Sequence, residues 1–240
     1  MWKKFAVGNI VIIALCVFIC CYFLFPTKDL GIIVGSWHTY DEFTSYAADK
    51  SVRLMEEGTE LLENADYYIE AMSEGKIGIH YDLEVYIGQV TSDLILQQGS
   101  MYEQSFNILE VISGTAEEGQ QIGLYTQGGF TVDGDEALFV GNLLCKNVMK
   151  PGNVYLIFCE KAEYQDDDYI EYRVVYGLLN TLCLNQDDEF YTDDDEITDT
   201  WAQFSDRELL TDSNELISEF NELKQAMFDK WGIDRTKYME

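Results

Sequence analysis

The chain has 240 residues, of which 47% are hydrophobic and 14% aromatic, so it can bury one sizeable core with appendages, and a disordered composition is excluded. Its 44 acidic residues against 15 basic ones give a formal net charge of −29, a surface that repels nucleic acid, which is excluded as a partner. The charge reads first as a solvated shell keeping an exported domain soluble, and second as a sink for divalent cations.

The opening "MWKKFAVGNIVIIALCVFICCYFLFP" places Lys3 and Lys4 before an uncharged run over 5–25. As a helix that run is about 31 Å long, matching a hydrocarbon layer of about 30 Å. A cleaved signal would end in small residues, where "CYFLFPTKD" has bulky aromatics. A lipobox cysteine would follow a small residue, yet Cys16 follows Leu15, Cys20 follows Ile19 and Cys21 follows Cys20. The expectation is an uncleaved transmembrane anchor over 5–25 with residues 1–4 as a short cytoplasmic tail, by the positive-inside bias. The bulk of the chain is then extracytoplasmic, in a single-pass protein of the cell membrane.

Residues 26–78 read as a helical stalk or packing region. Phe43, Ala47, Leu54, Gly58, Leu61, Leu62, Ala65, Ile69 and Met72 recur at helical spacing, so one or two amphipathic helices are expected over 39–75. "ADYYIEA" stays open between helix and strand, because Tyr67, Tyr68 and Ile69 favour β structure.

Over 79–186 the grammar changes to short runs punctuated by glycine and acids. Strands are expected at 81–92, 105–113, 120–127, 136–144, 153–161 and 171–179. Val154 to Cys159 is apolar throughout, as in a strand covered on both faces. With no helix-length crossover between runs, the fold class is mainly β with flanking helices (α+β), built on a small OB-like antiparallel barrel. Gly114, Gly119, Gly128-Gly129 and Pro151-Gly152 mark turns. "TQGGFTVDGDEA" leads into another strand-like run and not into a helix, so Gly128-Gly129 reads as a corner and not a phosphate loop.

Residues 187–211 read as an acidic linker, and 212–232 as an amphipathic helix. Asp212 and Glu215 form its capping pattern. Leu216, Ile217, Phe220, Leu223, Met227, Phe228 and Trp231 make its packed face, and Gly232 ends it.

The phrases "YIGQVTSDL", "FNILEVISG", "GQQIGLYTQGG" and "PGNVYLIFCEK" resemble bacterial exported OB-fold domains of the kind seen in tissue inhibitors of metalloproteinases and netrin-like modules, over about residues 82–185. The resemblance implies a barrel. Those inhibitors chelate the target's zinc with an N-terminal cysteine and brace the barrel with disulfides; neither feature is matched here, so protease inhibition does not carry over.

Catalytic signals are sparse. The two histidines, His38 and His80, form no triad with a nucleophile and an acid. Cys145, Cys159 and Cys183 sit in apolar phrases and read as buried free thiols. Calcium is the one metal the pattern favours, with Asp187, Glu189, Asp193 and Glu196 as candidate ligands, although Phe190 stands where a calcium loop turns on glycine. Tyr81, Tyr86, Tyr102 and Tyr125 are candidates for an aromatic binding face. The expected function is a non-catalytic binding or interaction module of the cell envelope, with a protein or glycan partner and no cofactor. The alternatives are an envelope hydrolase or hydrolase inhibitor, and a calcium-responsive surface module.

Overall fold

The computed structural model describes residues 37–55, 69–70, 83–97, 101–133, 136–140, 145–162, 171–175, 179–192 and 197–239. The expected anchor 5–25, Tyr81, His80, Asp193 and Glu196 lie outside these residues. Among the described residues no helix is long and apolar enough to cross a membrane.

Helix α1 (Tyr40–Ala47) starts at Thr39, whose side chain accepts from Glu42 N and satisfies a first-turn amide, and it buries Phe43 and Ala47. The helical pattern expected over 39–75 breaks just beyond it, at strand β1 (Ser51–Val52). Here the backbone finds distant partners in place of a helical turn. Val52 N donates to Asp199 O at 2.7 Å, Arg53 N to Phe139 O at 2.8 Å, and Met55 N to Leu210 O at 2.8 Å. The helical stripe passed over Val52 and Met55, and those are the residues that become buried. Ile69 and Glu70 are helical, which resolves "ADYYIEA" in favour of helix at those two positions.

The remaining strands are β2 (Glu84–Gln97), β3 (Met101–Ser113), β4 (Gln121–Gln127), β5 (Gly129–Asp133), β6 (Glu136–Val140), β7 (Val154–Lys161), β8 (Glu171–Val174) and β9 (Thr181–Cys183). Five of them close a barrel in the order β2-β3-β4-β8-β7, with β7 returning to β2. All neighbours are antiparallel except β4 and β8, which are parallel. β9 adds to β7 beside β8. Register shifts in β2 at Val85/Tyr86, Ile87/Gly88 and Val90/Leu94 bend it around the barrel, as bulges do.

The strand expected at 136–144 exists as β6, but it pairs with β5 and β1 in a separate three-stranded sheet. The strand expected at 171–179 ends at Val174. β5 and β9 went unrecognised in the sequence. Gly128 has φ 148 and turns the chain from β4 directly into β5, so the glycine pair is a corner, as its neighbours implied.

Two apolar cores share β7. Inside the barrel, Phe106, Ile108, Ile122, Leu124, Ile157 and Tyr172 pack together. Outside it, Val154, Leu156 and Phe158 pack against short helix α2 (Trp201–Phe204) and helix α3 (Asn214–Trp231), together with Phe43 of α1. Every residue from Val154 to Cys159 is therefore buried, alternate side chains serving alternate cores. Helix α3 is capped by Ser213, one residue later than Asp212, and Gly232 ends it in the left-handed conformation. Its expected apolar face is buried save for half-buried Trp231; Lys224 is buried with it. The segment read as an acidic linker carries α2 and buries Trp201, Phe204, Leu209 and Leu210, so its described part from 197 to 211 is packed structure and not a tether.

Candidate functional site

Ionic contacts concentrate where β9, the 145–147 segment, the 208–210 segment and α3 meet. Strand β9 gives the backbone of Leu182 to β7, leaving the outward groups of Thr181 and Cys183 without a strand. Two side chains take that place. Lys146 Nζ donates to Thr181 O at 2.8 Å, and Cys183 N donates to Glu208 Oε1 at 3.1 Å. The two are themselves paired at 2.6 Å, and Glu208 Oε2 also accepts from Lys224 Nζ at 2.8 Å. Asp187 then links Lys224, at 3.0 Å, to Arg235, which holds it with two nitrogens and also donates to Leu184 O. The Asp188 carboxylate accepts from Glu208 N and Leu209 N at 2.7 and 2.8 Å.

Burial penalises each of these charges, and the balance differs among them. It pushes the Lys146 pKa down despite the pull of Glu208. For Glu208 the same penalty is outweighed by Lys146 and Lys224, so its carboxyl lies below the usual range. Lys224 is held up by Glu208 and Asp187 against its own burial. Asp188 is raised by burial and by the charge of Glu208, against the two amides that favour its ionised form. The adjoining cleft, ≈ 360 Å³ with its open mouth counted, includes Asn147, Tyr155, Cys183 and Glu208 in its wall. Burial pushes the Cys183 thiol up to about 12, so it is a poor nucleophile at neutral pH. The ensemble is a clamp: it ends the sheet and docks α3.

A second polar cluster fixes the β3–β4 turn. Tyr86 Oη donates to Glu84 and accepts from Thr115 N and Ala116 N, each at 3.1 Å. Glu84 also accepts from Thr115 N at 3.1 Å. A Cβ on Gly114 would lie 2.2 Å from the Tyr86 hydroxyl, and φ at Gly114 is +154, so glycine there is required twice over. Burial and the bond to Glu84 raise the Tyr86 pKa and keep the phenol protonated.

The outer barrel surface over β3, β4 and β8 is different. Ser105, Asn107 and Leu109 of β3, Gln121 and Tyr125 of β4, and Glu171 and Arg173 of β8 alternate with the inward core residues, and none is fully buried. One register line crosses four strands, from Glu103 to Tyr125, Arg173 and Glu160. Tyr125 Oη donates to Glu171 at 3.0 Å, and Arg173 pairs with Glu160 at 3.0 Å. Burial first, then the hydrogen bond to Glu171, raises the Tyr125 pKa. The line presents one half-buried aromatic ring among hydrogen-bonding groups, an arrangement with the chemistry to hold a polar ligand.

The residues singled out in the sequence scatter over these features. Of the tyrosines, Tyr86 and Tyr102 are core residues, and Tyr125 sits on the open face. Asp187 is engaged by Lys224 and Arg235, while Glu189 is exposed and offers its backbone oxygen to Arg207. Among the described residues no group of three or more His, Cys, Asp and Glu side chains converges on a metal position. His38 is exposed, its amide bonded to Glu42. Cys145, Cys159 and Cys183 are buried and in no disulfide, as their apolar phrases indicated. Lys146, Glu208 and Lys224 went unnoticed in the sequence; the one available signal was a lysine at the position where the apolar stripe of α3 closes between Leu223 and Met227. No family model matches the chain, and no curated protein sequence matches it.

Proposed function

We propose that this protein is a non-catalytic binding module of the cell envelope, anchored by residues 5–25 with the folded part extracytoplasmic, and that its barrel is of the OB type. Five strands closed in this order, with the third and last as parallel neighbours, support the OB reading. In such barrels the face of the second and third strands binds oligosaccharides and other extended ligands. Here those strands are β3 and β4. The carrying observation is that their outer face is half-open and, apart from Leu109, polar or aromatic, whereas β2, β7 and β9 send their outward apolar side chains into the second core. The ligand is a glycan or a protein segment lying across Tyr125.

The test uses the full-length chain in membranes. Protease added to intact protoplasts should remove the folded part while residues 1–4 stay protected, and detergent-solubilised protein should retain envelope glycan or a partner that Tyr125→Ala loses. Protection of the folded part, or identical retention by the variant, would refute the reading.

A further inference from the structure

Among the described residues four large apolar side chains are exposed, and two of them, Phe190 at 56% and Ile197 at 40%, lie in the acid-rich stretch that opens 187–211. A single surface Phe needs no explanation. What distinguishes Phe190 is how the backbone on either side of it is held. On one side the Asp188 carboxylate is bound by the amides of Glu208 and Leu209, and Asn221 Nδ2 donates to Asp188 O at 3.2 Å. Arg207 Nη1 donates to Glu189 O at 2.5 Å. On the other side Asn214 grips both backbone groups of Tyr191, accepting from its N at 2.7 Å and donating to its O at 3.0 Å. The Tyr191 ring is held by the Arg207 guanidinium, 3.9 Å from its centre, and by its hydroxyl, which donates to Thr211 O. Asp188 and Glu189 before it and Tyr191 after it are thus anchored around a side chain that points to solvent.

A ring presented on a fixed backbone loses little conformational freedom when it is covered, which is what makes aromatic anchors effective in interfaces. The chemistry of its surroundings selects the cover. Glu189 beside it is exposed, and so are Asp212 and Glu215, which flank the Asn214 that grips the segment. The whole chain carries −29, so an acidic partner or a second copy is repelled. We propose that Phe190 is the anchor of a docking surface for a basic amphipathic segment of a partner protein, whose apolar side covers the ring while its lysines and arginines face the acids.

The test measures binding of the full-length protein in detergent to three fluorescent 18-residue peptides: Lys/Leu at helical spacing, Lys/Ser of equal charge, and Glu/Leu. The Lys/Leu peptide should bind, Phe190→Ser should weaken it about tenfold or more, and the weaker Lys/Ser binding should not change. Asn214→Ala, which releases the Tyr191 backbone while keeping the Phe190 ring, should weaken Lys/Leu several-fold. Tyr125→Ala should leave all three unchanged, which separates this surface from the barrel face. Equal Lys/Leu binding by Phe190→Ser, or equal binding of Lys/Leu and Lys/Ser to the wild type, overturns the proposal. Full binding by Asn214→Ala overturns the role of the fixed backbone. Thermal melts of each variant confirm that the fold is retained.

Discussion

Lys146 and Glu208 lie 2.6 Å apart, and each also bonds one backbone group on the outward edge of β9. An unpaired sheet edge is a template for unwanted strand addition, and here an ion pair closes it. Glu208→Gln leaves Lys146 buried without its counter-charge and should cost about 3–5 kcal/mol in denaturant titration. Replacing both partners, as Lys146→Met with Glu208→Leu, often restores stability for a buried pair. In this protein it should not, because Thr181 O and Cys183 N would both be orphaned at about 1–3 kcal/mol each. A double variant as stable as the wild type would show that the edge does not depend on the pair.

The same carboxylate sets an acid limit. The folded pKa of Glu208 is depressed, so its stabilisation is complete above the unfolded value near 4.3 and is lost as pH falls through the folded one. Asp187, also depressed despite partial burial because Arg235 and Lys224 hold its charge, acts in the same direction. Asp188, which is raised, acts in the opposite sense, favouring the fold more as it protonates. The melting midpoint of the wild type should therefore fall steeply below about pH 4, and the curve for Glu208→Gln should be flatter there.

Tyr86→Phe leaves the Ala116 amide without its acceptor and Thr115 N with Glu84 alone, and should destabilise by about 1–3 kcal/mol. Gly114→Ala should cost at least as much, since its methyl group would overlap the Tyr86 ring and the backbone angle is strained for alanine. Chemical denaturation of the two variants measures both, and a wild-type midpoint for Gly114→Ala would mean that the turn relaxes freely.

Thiol reactivity should report folding. Cys159 and Cys183 are buried with raised pKa values, and Cys145 is buried as well. Iodoacetamide at neutral pH should leave all three unmodified until denaturant is added, as read by mass spectrometry of peptides.

Calcium is tested by melting in EDTA, millimolar Mg²⁺ and millimolar Ca²⁺. Screening of the acidic surface should raise the midpoint equally with the two cations. A shift specific to Ca²⁺ would assign ligand roles around Glu189, Asp193 and Glu196, since Asp187 is already taken up by Lys224 and Arg235.

Period and punctuation made much of the fold legible. The all-apolar run of β7 announced two covered faces, and the stripe from Leu216 to Phe228 announced α3. Of the elements missed, β1 and β9 take their character from distant contacts. β1 has two residues, and its hydrogen bonds run to Asp199 and Phe139. β9 is three residues long and is defined by β7 on one side and two charged side chains on the other. The acid count hid the clamp, because no local pattern marks which of 44 carboxylates will be buried. Asp188 and Glu208 stand out only once the chain has folded their amide and lysine partners around them.

Because β7 presents Tyr155, Ile157 and Cys159 to one interior and Val154, Leu156 and Phe158 to the other, neither interior can melt without stripping a face of the same strand. Barrel and helical coat should come apart in one step. A chain cut short ahead of α3 would not yield a smaller stable domain; it would leave a sticky β-sheet surface prone to precipitation, and domain trimming for crystallisation has to spare the C-terminal residues.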